Sequence, residues 1–143
     1  MIKGRIISGE AQGWEVNCYL AVDTYYIPEI IADLRRLRAD WNYIKKAHRL
    51  MSSRDLDTGL CYSNLAARQS IIVIGLASSA EEYFNSITHE IAHLTSHIAE
   101  TMNLDYKSEK VCYIAGDIAS QLYGYCKSLL CDDCLKKATC SRE

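Results

Sequence analysis

The chain has 143 residues, enough for one domain that buries roughly two-thirds of its unfolded surface. Apolar residues make up 49% and charged residues 24%, with one Pro and seven Gly, which excludes a disordered, collagenous or low-complexity protein. A net charge of -2 argues against a strongly basic nucleic-acid binder, and no apolar run approaches the ~18 residues of a membrane span.

The first 13 residues carry Gly4, Gly9 and Gly13 and are expected to be loose or a short strand. Residues 14–22 are rich in aromatic and β-branched side chains and predict a strand. Pro28 suits the first turn of a helix. Ile30, Ile31, Leu34, Leu37, Trp41, Ile44 and Leu50 follow at spacings near three and four, which predicts one long helix to about Met51. Ser52, Ser53, Asp55, Asp57 and Gly59 break it. Residues 60–64 and 70–76 predict the two strands of a hairpin. The unbroken run Ile71, Ile72, Val73, Ile74 indicates a strand covered on both faces.

Ser78 or Ser79 then caps a second helix, with Glu81 and Glu82 in its first turn, where the helix dipole favours acids. Its apolar stripe is Tyr83, Ile87, Ile91, Leu94, Ile98 and Met102, and its end is expected near Asn103. Ser108 caps a third helix reaching about Leu130, with Val111, Ile114, Ile118 and Leu122 as its stripe. The expected class is α+β: a small, mostly antiparallel sheet with a long N-terminal helix and two later helices. Residues 1–130 form the expected domain and 131–143 a flexible, Cys-rich tail.

Residues 89–93 read His-Glu-Ile-Ala-His. Positions four apart on a helix share a face and lie about 6 Å apart along the axis, so His89 and His93 can reach one divalent ion. Glu90 sits beside them. Zinc (Zn2+) acidifies water, and a neighbouring carboxylate can take the proton as a general base. Fewer than about one chain in a hundred of this composition would carry the pattern by chance. A catalytic zinc usually has three protein ligands and one open position. His97 extends the row but stands about 12 Å along the helix axis from His89, too far for a shared ion. Glu109, just inside the third helix, is the favoured third ligand if that helix packs antiparallel to the second. Asp105 and Asp117 are the rival carboxylates, Asp117 also as an acceptor that orients a His. Tyr113 lies one turn after Glu109 and is a candidate to hydrogen-bond an oxyanion.

Residues 85–93, Asn-Ser-Ile-Thr-His-Glu-Ile-Ala-His, with Ser108-Glu109 and Tyr113-Ile-Ala-Gly116, resemble the small zincin-like proteins encoded by phages and prophages. These are metallopeptidases of the gluzincin type, with His-Glu-x-x-His on one helix and a Glu on the next. The resemblance covers roughly residues 57–125. It implies a minimal zincin-like domain with zinc at His89, His93 and Glu109, Glu90 as base, and a peptide or protein substrate. It also implies a strand along the cleft, for which residues 70–76 are the candidate. The alternative is a non-catalytic binding or structural protein of a phage or mobile element, stabilised by metal.

The start Met-Ile-Lys-Gly-Arg has no apolar signal core, so a cytoplasmic protein is expected, with its seven Cys as thiols. Cys131-x-x-Cys134 has a zinc-knuckle spacing, but tail thiols are the default reading of Cys126, Cys131, Cys134 and Cys140. Arg35, Arg36, Arg38, Lys45, Lys46 and Arg49 are expected on a solvated helix face, with no membrane and no nucleic-acid partner.

Overall fold

Four strands form one mixed sheet: β1 (Ile2–Ser8), β2 (Trp14–Val22), β3 (Gly59–Asn64) and β4 (Gln69–Gly75), in the order β1-β2-β4-β3. The computed structural model describes residues 1–53 and 59–140. β1–β2 and β3–β4 are antiparallel hairpins, and β2 runs parallel to β4. A parallel pair needs a long crossover. Here it is supplied by α1 (Ile27–Arg36), α2 (Trp41–Ser53) and β3. After the sheet come α3 (Ala80–Thr101), α4 (Glu109–Cys126) and a short α5 (Asp132–Cys140). The class is α+β with five α-helices among the described residues.

The alternation along the strands sends side chains into two cores. Val16, Cys18 and Leu20 of β2, with Ile72 and Ile74 of β4, pack under α3 and α4. Tyr19 of β2, with Ile71 and Val73 of β4, packs under α1 and α2. The sheet is therefore the middle of three layers, and the apolar run of β4 is buried on both sides. Val22 has the parity of the first set yet joins the second. A bulge between Tyr19 and Val22, with Ala21 at φ 55°, turns it over.

The expected long N-terminal helix is two helices. Its periodicity continues through the break, but Arg38 adopts a left-handed φ of 59°. The N–H of Ala39 bonds the Leu34 carbonyl at 3.0 Å and that of Arg38 bonds Arg35 at 2.9 Å, which closes α1 with a Schellman motif. Asp40 then caps α2 by accepting the N–H of Tyr43 at 2.9 Å. Trp41, counted into the apolar stripe, is 62% exposed. The basic row is divided between the two helices, and Arg36 pairs with Asp33 at 2.6 Å.

α3 begins at Ser79, whose hydroxyl accepts the N–H of Glu82, while the Glu82 carboxylate accepts the N–H and hydroxyl of Ser78. Just past its end Asn103 is left-handed, at φ 53°. α4 returns antiparallel: a short turn joins its start to the end of α3, and beyond its far end Asp132 accepts the N–H of Ala80 at 3.0 Å. Residues 132–140 are helical, so the expected fraying tail is instead a short docked helix over that stretch. Ile114 of α4 is fully buried between α3 and the sheet. Ile114→Ala should lower unfolding free energy by about 2–5 kcal/mol in urea denaturation. A loss under about 1 kcal/mol would show α4 to be loosely packed.

Candidate metal centre

The phase of α3 decides which of its polar residues meet the fold. Its buried side includes Ile87, Leu94 and Ile98 and extends to Glu90, which is 2% exposed. His89 and His93 lie beyond the edge of that stripe and are exposed. At about 100° per residue, His93 falls between His89 and Glu90 on the helix surface.

The Nε2 atoms of His89 and His93 are 3.1 Å apart, with ring centroids at 4.8 Å and planes inclined by 67°. At that distance the two rings share either a proton or a cation. An ion about 2.05 Å from each nitrogen would subtend an N–ion–N angle of about 98°, between the octahedral and tetrahedral values. The pair thus fits two positions of a zinc coordination sphere.

Glu90 and His93 open on a cleft of about 320 Å³ at the edge of the sheet, where α2 and α3 overhang the start of β3. Tyr43 and Lys46 of α2 and Leu60 and Cys61 of β3 complete its wall. Burial and then the charge of Glu90 push the Cys61 thiol well above its ordinary range. Burial, Cys61 and Glu90 likewise raise the Tyr43 phenol. The cleft is therefore a partly desolvated space beside the histidine pair, with both Glu90 and Lys46 in its wall. Sequence periodicity gave no sign that α2 would meet α3 here. The cleft strand is β3 rather than residues 70–76, because β4 is interior and paired on both sides.

His97 belongs to a different network. The Trp14 Nε1–H donates to Ser70 Oγ at 2.8 Å, Ser70 lies 2.6 Å from Ser63 Oγ, and Ser63 lies 2.7 Å from His97 Nδ1. Trp is only a donor, so Ser70 Oγ accepts from it, and the chain continues through Ser63 to His97 Nδ1. Burial and then the neighbouring His93 lower the pKa of His97 from the ordinary 6.5. A depressed pKa means the unfolded chain takes the proton first. The contribution to stability is present above pH 6.5 and is lost as pH falls through the folded pKa. His97→Gln should therefore flatten the acid side of a stability–pH curve measured by denaturation from pH 8 to 5. An unchanged slope would remove His97 as the titrating group.

Glu109 and Tyr113 are not brought to the histidine pair. The buried face of α4 is Val111, Ile114, Ile118 and Leu122. Glu109 and Tyr113 fall roughly opposite that face at ~100° per residue, and both are exposed, Tyr113 by 63%. Antiparallel packing also sets Glu109 level with the C-terminal end of α3, about 12 Å along the axis from His93. The expectation considered only how far along the helix a carboxylate could reach and missed its rotational phase. Asp117 is engaged elsewhere, accepting from Ser8 Oγ at 2.6 Å and from Gln121 at 3.0 Å. Asp105 accepts the N–H of Lys107 in the turn. Among the described residues no group of three or more His, Cys, Asp and Glu is placed to hold a metal ion. The tyrosine of the cleft is Tyr43.

No family model, curated protein or solved structure matches the chain. No helix among the described residues is long and apolar enough to cross a membrane.

Proposed function

We propose that the chain is a zinc-dependent hydrolase that cleaves peptide bonds, with a zincin-like site on α3. The convergence of the two Nε2 atoms to 3.1 Å carries the reading. His89 and His93 hold the ion, which when bound supplies a Lewis acid that polarises a carbonyl and acidifies water. Glu90, turned into the cleft beside His93, takes the proton from the attacking water as general base. Leu60 and Ala47 wall the cleft and limit water around the reacting groups. β3 is an edge strand, so an extended peptide can add to it by main-chain hydrogen bonds and lie across the cleft.

A second reading is a binding or structural protein of a phage or mobile element in which the metal only stabilises the fold. It draws on the lack of a third protein ligand among the described residues. The first is preferred because a purely structural site has no need of a carboxylate at Glu90.

The test joins metal analysis of protein purified without added zinc to cleavage of a broad peptide library. About one zinc per chain and chelator-sensitive cleavage restored by zinc support the enzyme. Zinc without cleavage favours the second reading. Protein that takes up no zinc overturns both.

A further inference from the structure

The cysteines near the C-terminus form a pair with its own geometry, away from the histidines. Cys131 is the residue before α5, with extended backbone, and its carbonyl accepts the N–H of Leu135 at 3.0 Å. It is therefore the N-cap of α5, and Cys134 is the third residue of the helix. Side chains at those two positions face each other, as in a capping box. Helical spacing puts their Cα atoms about 5 Å apart, inside the window of about 4.4–6.8 Å that a disulfide needs. At the N-cap the Cys131 side chain stands beside the N–H groups of the first turn of α5, those of Asp133 and Cys134. The loop is fixed in place, since Asp132 holds the N–H of Ala80 at the start of α3. Cys134 is exposed and Cys131 half-buried, so a small reagent reaches both.

We propose that Cys131 and Cys134 form a redox-active dithiol, which closes reversibly to a disulfide by exchange with a low-molecular-weight disulfide. The Cys131 thiolate attacks one sulfur of that reagent, whose S–S bond breaks and releases one thiolate. Cys134 then gives its proton to solvent and attacks the Cys131 sulfur, which releases the second thiolate. Two electrons pass to the reagent, which ends as two thiols, and the protein holds one new S–S bond.

The electrostatics fit this division of labour. The N–H groups of Cys134 and Asp133 pull the Cys131 thiol below its ordinary value. Cys134 is pushed up, chiefly by its hydrogen bond to Cys131 and then by that residue's charge. Burial raises Cys18 to about 12 and also raises Cys61 and Cys126. Cys131 is thus the attacking thiol and Cys134 the resolving one.

The test incubates the folded protein with graded mixtures of reduced and oxidised glutathione at neutral pH, quenches with acid, and maps each cysteine by alkylation and mass spectrometry. The expected product is a Cys131–Cys134 disulfide that carries no glutathione and reopens on reduction. Cys134→Ser should trap glutathione on Cys131. Cys131→Ser should slow the reaction at position 134 by about tenfold or more. Wild-type protein that keeps glutathione on Cys131, or whose Cys131 alkylates no faster than the exposed Cys112, would overturn the proposal. So would protection of both thiols by added zinc, which would make them metal ligands. The wild-type mapping needs no variant to fold.

Discussion

His93→Ala is expected to abolish zinc-dependent stabilisation of the fold. Zinc that binds only the folded chain at one-hundredfold excess over its Kd adds about 2.7 kcal/mol. For a domain of this size that raises the Tm by roughly 5–10 °C. His93 supplies one of the two converging nitrogens, and no third protein ligand among the described residues is placed to compensate. Its loss should therefore weaken binding beyond the roughly 10–100-fold seen when only a supporting residue is removed. The side chain is exposed, and Ala is the best helix former, so the metal-free Tm should stay within a few degrees of wild type. The measurement is thermal melting with and without zinc for both proteins. A wild type whose Tm ignores zinc, or an Ala variant that responds equally, would sink the paired-histidine site.

The elements that were legible in the sequence are those whose determinants are local. Ser79 with Glu82, and the repeat from Tyr83 to Ile98, describe α3 because caps and 3.6-residue spacing act within a few residues. The double-sided burial of β4 was legible for the same reason, since a run without polar relief has nowhere else to go. The break at Arg38 was hidden, because the left-handed turn falls on an Arg rather than a Gly and the apolar spacing continues across it. The bulge at Ala21 was hidden likewise. The third-ligand expectation failed on tertiary phase: Glu109 is at the right end of the right helix but on its solvent side. The cleft itself depends on two layers meeting over the edge of β3. That juxtaposition arises from the parallel β2–β4 crossover, which no short segment encodes.

Glu90→Gln separates chemistry from binding. The side chain is 2% exposed and lines the cleft together with His93. An amide fills the same space but cannot take a proton, and a positioned general base contributes about 10²–10⁴-fold. The variant should keep zinc at wild-type affinity and lose about that factor in kcat/KM on whichever library peptides the wild type cleaves. A second readout does not depend on turnover. Burial is the larger cause of the raised Cys61 thiol, and the Glu90 charge adds to it. Removing that charge should make Cys61 more acidic and speed its alkylation at alkaline pH, whether or not a substrate has been found. If Glu90→Gln released the zinc, Glu90 would be a ligand and the base would have to be another group. If the alkylation shift appeared while neither protein cleaved any peptide, the cleft would be as described but catalytically idle. The metal would then serve the fold, as in the second reading.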